Sequence, residues 1–231
     1  MDEWESKIKA IVESTWKTDV NSLSGVPSWM LVLIKAVLQK TGSEYLTDVW
    51  PNMEVFFHGG ISFEPYRDQY KALIPSDRMH YMETYNASEG FFGLQDNPEE
   101  HSLLLMIDYS VFYEFIPINE VGEEHPTVLP LEAVEVGKNY AMVITTSGGL
   151  WRYQIGDTVR FTSLYPHKFV ISGRTKNFIN AFGEELMVDN ADKAISRVCR
   201  QTGAKVKEYT AAPLSVSYTH LRAHETLANL V

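Results

Sequence analysis

Cysteine is all but absent from the 231 residues: Cys199 stands alone, which excludes an intrachain disulfide and any zinc site built from several thiolates. A reducing compartment, the cytoplasm, is the expected setting. Long apolar runs are missing too. The longest, Trp29–Ile34, is broken by Lys35, far short of the roughly 20 residues that span a bilayer. No basic segment opens the chain, since Met1 is followed by Asp2 and Glu3, and no secretory signal is read. Positive charge is scarce, with 20 Lys and Arg against 30 Asp and Glu and a net charge of −10. A duplex-binding face therefore has no electrostatic support, and neither nucleic acid nor membrane is expected as a partner. No internal repeat or low-complexity segment occurs. The phosphate-loop, GxGxxG, HExxH and GxSxG signatures are all missing.

What is present suits a folded globular body. Hydrophobic residues make up 45% of the chain and charged ones 22%, enough apolar side chain for a core and too little charge for disorder. Trp4, Ile8, Ile11, Val12 and Trp16 recur at helical spacing and predict an opening amphipathic helix. Pro27 starts a second helix, whose apolar face runs from Trp29 to Leu38 and which stops at Gly42. Short β-like runs follow at Glu54–Phe57, Met79–Thr84, Ser102–Ile107, Val111–Ile116, Tyr140–Thr145, Leu150–Gln154, Thr158–Phe161 and Phe169–Ser172. A helix over Phe63–Leu73 between the first two predicts a parallel βαβ crossover. Turns at Ser147-Gly148-Gly149 and Tyr165-Pro166 make the later strands antiparallel. The fold class is mixed α/β. Gly173-Arg174-Thr175-Lys176 reads as a domain hinge, followed by a helix over Asp189–Gln201 and a strand over Lys205–Thr210.

The tail departs from this pattern. Val216–Thr226 reads VSYTHLRAHET and resembles one reading frame of a transposase-type sequencing adapter, and Asn229-Leu230-Val231 continues that frame. His220 and His224 have the i, i+4 spacing of a helical metal pair, but eleven consecutive residues matching one frame outweigh it. Val216–Val231 is therefore set aside as non-native, and the open reading frame is read as metagenomic.

Three segments place glycine and polar residues at the end of an apolar strand, where ligands of α/β sheets sit. In Phe56-Phe57-His58-Gly59-Gly60 the two glycines let a flat ligand approach the backbone, although a plain strand-to-helix turn explains them equally and His58 alone reads as a structural residue. In Tyr85-Asn86-Ala87-Ser88-Glu89-Gly90-Phe91-Phe92-Gly93 a ring, a hydroxyl and a carboxylate suit a purine nucleotide with a hard divalent cation. A loop with capping Ser and Glu is the bland alternative. In Leu150–Asp157 a strand ends, Gly156 turns the chain, and Asp157 could accept from both hydroxyls of a ribose; an ordinary hairpin turn accounts for Gly-Asp as well.

Order and combination raise the specificity. A ring-hydroxyl-carboxylate loop, a Gly-Asp turn and Gly-Arg-x-Lys, in that sequence, resemble the adenylate-forming superfamily. Val49-Trp50-Pro51-Asn52 leading to Phe57-His58-Gly59-Gly60, then TYNASEGFFGLQ, LWRYQIGDTVRFTS and ISGRTKNFINAFGEELM, are similar to the auxin-responsive acyl-acid amido synthetases, particularly their bacterial branch, over about Trp4–Pro213. The resemblance implies a ligase that joins a carboxylic acid to ATP, releases pyrophosphate, and passes the acyl group to an amine, commonly an amino acid. It implies ATP and Mg²⁺ as cofactors. On matching positions, Tyr85 would flank adenine, Ser88 would shape the pocket, Glu89 would hold Mg²⁺, Asp157 would bind the ribose, and Arg174 would reach the nucleotide. Gly59 and Gly60 would admit the nucleotide, and Lys176 would sit where the small lobe swings. The resemblance also implies that residues 1–172 are the C-terminal half of the large adenylate-forming domain, built on mixed sheets, and 173–215 the hinge and the start of the small C-terminal lobe. The family's phosphate-binding loop and late lysine have no counterpart here, so a fragment truncated at both ends is expected. An acyl-CoA ligase and a nucleotide-binding pseudoenzyme are the rival readings.

Overall fold

The computed structural model describes residues 2–175, 179–181, 184–186, 188–204, 206 and 209. In chain order the elements are α1 (Asp2–Thr15), β1 (Ser22–Gly25), α2 (Pro27–Thr41), α3 (Leu46–Val49), β2 (Val55–His58), α4 (Arg67–Leu73), β3 (His80–Ala87), β4 (Gly90–Gln95), β5 (Leu103–Leu105), β6 (Val111–Pro117), β7 (Leu129–Pro130), β8 (Asn139–Thr146), β9 (Tyr153–Leu164), β10 (His167–Arg174), β11 (Ile179–Ala181), β12 (Glu184–Leu186) and α5 (Val188–Thr202). The expected α/β class holds. Among the described residues no helix is long and apolar enough to cross a membrane. The chain forms two compact units, the first taking in Met1–Tyr85 and Gln95–Glu100, the second the rest of the described chain.

The first unit is built on parallel strands. β1 pairs with β2 and β2 with β3, both parallel, so that α4 is the expected crossover and α2 with α3 supplies another between β1 and β2. α2 keeps its expected limits, with Pro27 at the first helical position and the Gly42 N–H donating to the Leu38 carbonyl at 2.9 Å. Its buried stripe is Leu31, Leu33, Ile34, Val37 and Leu38, whereas Trp29 points outward with 61% of its surface exposed. The expectation that Trp29 belongs to the apolar face is thus corrected: the stripe centres on Ile34, fully buried, and Trp29 lies five residues before it, a step that leaves it about 140° round the helix. β1 was not anticipated, because Leu23 is its only large apolar residue. Register brings Leu23 opposite Phe56, and both are buried. α4 starts at Arg67, not at Phe63, which lies in the preceding turn. Phe63 is nonetheless buried, against Phe56, His58, Tyr70 and Tyr81.

The second unit is a sheet in the order β4-β5-β10-β9-β8-β6-β7, with β5/β10, β10/β9, β9/β8, β8/β6 and β6/β7 all antiparallel. Tyr140–Ile144 is buried without interruption, because both faces of β8 are covered. Tyr140 packs with Phe115 and Phe161 on one side, and Ala141 and Val143 pack with Ile116 on the other. The turns at Ser147–Gly149 and Tyr165-Pro166 join β8 to β9 and β9 to β10, as expected.

Two local expectations are corrected here. Leu150–Gln154 and Thr158–Phe161 are not separate strands divided by a Gly-Asp turn: β9 runs unbroken from Tyr153 to Leu164. The partners on β8 explain the turn-like sequence. Ala141 faces Thr158 and Val143 faces Gln154, so β9 carries extra residues around Gly156, which takes a φ of 87°. This is a β-bulge, which asks for the same glycine as a turn. Likewise Tyr85–Gly93 is not a loop. β3 runs to Ala87, Ser88 and Glu89 make a two-residue turn, and β4 starts at Gly90. The helix expected over Asp189–Gln201 is α5; of the strand expected over Lys205–Thr210 only Val206 and Tyr209 are described, and Val216–Val231 lies outside the described residues.

Candidate functional site

In the first unit the candidate residues cluster after β2. A Cβ built on Gly59 would stand 2.3 Å from the carbonyl oxygen of Thr84, which is backbone of β3 and cannot step aside. Only glycine lets the chain leaving β2 lie this close to β3. The Thr84 hydroxyl donates to the His58 carbonyl at 3.3 Å and pins the same crossing. Gly60 follows with a φ of 83°. Tyr85, next along β3, is buried at 6% exposure.

His58 is the unusual member of this group. It is 3% exposed, and neither ring nitrogen has a hydrogen-bond partner. Its ring stacks on Phe63 at 4.2 Å between centroids. Burial first, and the Arg67 guanidinium second, push the imidazole from its ordinary 6.5 down to about 3. Arg67 stands over the Phe63 ring at 4.9 Å and is itself tied to Glu64 at 2.8 Å. His58 is therefore neutral near pH 7, as a structural residue packed in an aromatic cluster.

The second unit holds Ser88, Glu89, Asp157 and Arg174. Ser88 is exposed and Glu89 half-buried at the turn between β3 and β4. The bulge in β9 aims Asp157 across to β10, where Arg174 is its register partner. The Arg174 Nε donates to Asp157 Oδ1 at 2.9 Å, joining a carboxylate side chain that is 11% exposed to a guanidinium that is 64% exposed. Behind them the Ser172 hydroxyl donates to Thr158 Oγ1 at 3.0 Å, both residues buried. Thr175 closes the bulge by donating its N–H to the Gly156 carbonyl at 2.9 Å and its hydroxyl to the same oxygen at 3.3 Å. Thr175 and Ser172 were not singled out in the sequence; a hydroxyl on either side of Gly-Arg was the available signal. The structure thus brings together Asp157 and Arg174, 17 residues apart, and Gly59 with the backbone just before Tyr85. Lys176 lies outside the described residues.

Chemically, a carboxylate largely shielded from water beside an exposed guanidinium is an acceptor for paired hydroxyls. Among the described residues no group of three or more His, Cys, Asp or Glu could enclose a metal by itself. That is compatible with Mg²⁺ carried on phosphates, which keeps its waters and asks the protein for one or two carboxylates.

Residues 1–79 match the GH3 family N-terminal domain, and residues 104–174 match the GH3 family central domain. The chain is 31% identical over 222 residues to an indole-3-acetic acid-amido synthetase of Arabidopsis thaliana, GH3.4, a match that takes in 87% of this chain and 36% of that protein. It spans little more than a third of the length of that curated relative. Among solved structures, the acyl acid amido synthetase AtGH3.15 in complex with 2,4-DB superposes with a TM-score of 0.68 at 18% identity, over 93% of this chain and 46% of that one. A 2-hydroxyisobutyryl-CoA ligase superposes at 0.62 with 14% identity, over 96% and 49%. The architecture is therefore that of adenylate-forming enzymes. With two successive domains of one family matched in order, together taking in well over half of this chain, and a relative from that family aligned over 87% of this chain, the chain belongs to the GH3 family.

Proposed function

We propose that the chain carries the nucleotide-binding part of an ATP-dependent acyl-acid amido synthetase from the family's bacterial branch, working in the cytoplasm. In the reaction a carboxylate oxygen attacks the α-phosphorus of ATP and pyrophosphate leaves. The amine nitrogen, of an amino acid in the preferred reading, then attacks the acyl carbon, and AMP leaves as the nitrogen loses a proton. The observation that carries this reading is the bulge at Gly156, which fixes Asp157 opposite Arg174. Asp157 accepts from the ribose hydroxyls, and Arg174, exposed beyond it, turns from the carboxylate toward the nucleotide. Gly59 and Gly60 keep side chains away from the bound nucleotide. Tyr85 flanks the base and Ser88 shapes its pocket. Glu89, on an open turn, contributes a carboxylate to phosphate-bound Mg²⁺, which would neutralise charge as one anion attacks another. Lys176 acts from the hinge at Gly173–Lys176, which divides residues 1–172 from 173–215; the end of the family's central-domain match at Arg174 supports that boundary. Residues 216–231 are adapter-derived in this reading, and resequencing the flanking DNA tests that.

An acyl-CoA ligase is the second reading, favoured by the 2-hydroxyisobutyryl-CoA ligase fold likeness. The amido-synthetase relative in sequence, at 31% identity, favours the amide. Titration of the chain with Mg-ATP tests the nucleotide part. Asp157→Ala should weaken binding about tenfold or more, the worth of hydrogen bonds to a charged acceptor. An ATP affinity unchanged by Asp157→Ala would remove Asp157 from the site.

A further inference from the structure

The two sides of Asp157 along β9 are held in different ways. On the far side, Thr158 faces Gly173 in the register of β9 and β10, and its hydroxyl accepts from the buried Ser172 hydroxyl at 3.0 Å. The chain just after Asp157 is thus fixed by a closed, water-free contact. The residue just before it is Gly156, and glycine holds no conformation of its own accord. Gly156 takes a φ of 87°, and among the described residues the only atom outside its chain neighbours within 4 Å of where its Cβ would stand is the Thr175 hydroxyl oxygen, at 3.9 Å. Packing therefore does not set this bulge. Thr175 does: its N–H donates to the Gly156 carbonyl at 2.9 Å and its hydroxyl to the same oxygen at 3.3 Å.

That oxygen belongs to the planar peptide unit whose other end is the Asp157 nitrogen, so the direction of the carbonyl decides where the Asp157 backbone, and with it the carboxylate, points. We propose that Thr175 is a positioning residue for ribose recognition: its hydroxyl acts not on the ligand but through the Gly156 carbonyl, holding the aim of Asp157 and so the preference for a nucleotide that carries both ribose hydroxyls. This rests on the reading of Asp157 as the ribose acceptor. In Thr175→Val a methyl takes the place of the hydroxyl. Side-chain shape and the backbone N–H bond are kept, while the carbonyl loses one of its two donors and faces an apolar group instead.

Calorimetry on the full chain tests this with Mg-ATP and with Mg-2′,3′-dideoxy-ATP, which lacks both ribose hydroxyls. The native chain should bind ATP about tenfold or more tightly than the dideoxy nucleotide. Thr175→Val should weaken ATP about three- to tenfold, the worth of one hydrogen bond, and leave the dideoxy nucleotide unchanged, a result that also shows the fold intact. Thr175→Ser, which returns the hydroxyl, should restore the preference. In an Asp157→Ala background, Thr175→Val should cost ATP nothing further, because the group it aims is gone. An equal loss for both nucleotides, or a loss that persists in the Asp157→Ala background, would make Thr175 a general support of the strand and overturn the inference. The two readings fail differently. A native preference that vanishes with Asp157→Ala but survives Thr175→Val refutes the role of Thr175 and leaves the ribose site standing, whereas a native chain that does not prefer ATP refutes the ribose role of Asp157 and this inference with it.

Discussion

His58→Phe should remove most of an acid sensitivity that the native protein carries. In the unfolded chain the imidazole titrates at its ordinary 6.5, and in the native state at about 3, because burial and Arg67 disfavour the cation. Above pH 6.5 both states hold it neutral and it exerts no pH effect. Between 6.5 and 3 the unfolded state binds a proton that the native state does not, so stability falls with pH by about 1.4 kcal/mol per unit. Below about 3 both are protonated and the penalty levels off at about 5 kcal/mol, comparable to the whole stability of a small domain. Urea midpoints measured at intervals from pH 7 to 4, converted at constant m, give the slope for each protein. Carboxylates titrate in the same range, so the wild-type curve minus the His58→Phe curve isolates the imidazole. Phenylalanine at position 58 also removes two buried nitrogens without partners, so stability at pH 7 should hold or rise. Parallel curves for the two proteins between pH 6.5 and 4.5 would refute the reasoning, because His58 would then ionise without leaving its cluster.

Two glycine substitutions should separate steric from conformational cost. Gly59→Ala drives a methyl to 2.3 Å from the Thr84 carbonyl oxygen and should destabilise by more than about 3 kcal/mol. Gly156→Ala meets nothing nearer than the Thr175 hydroxyl at 3.9 Å but keeps a φ of 87°, so it should lose only about 1–2 kcal/mol; urea midpoints that fail to rank them so would contradict the close approach at β3. Arg174→Gln should weaken ATP less than Asp157→Ala does in side-by-side titrations, since Arg174 is the exposed partner and Asp157 the shielded one; the opposite ranking would make Arg174 the principal nucleotide contact. Glu89→Gln should raise the Mg²⁺ concentration needed for half-maximal ATP binding, read from titrations at several Mg²⁺ levels. An unchanged requirement would take the metal role away from Glu89.

Local chemistry determined much of this protein. Proline and glycine set the limits of α2, the change from helical to alternating spacing marked where strands begin, and glycine-containing turns made the later strands antiparallel. The motif strings around Gly59, Glu89, Asp157 and Arg174 pointed to the family. What escaped the sequence depends on partners distant along the chain. β1 has one large apolar residue and becomes a strand because Phe56 stands opposite it. Gly156-Asp157 looks the same in a turn as in a bulge, since both need a positive φ; only the count of residues facing β8 decides between them. Trp29 shows no sign in its own segment of being turned outward, because which side of a helix is buried depends on what packs there. The contact between Asp157 and Arg174 comes from the register of β9 and β10. A single-residue slip would turn one of the two side chains to the other face of the sheet, so the pairing of these charges was decided by the tertiary structure alone.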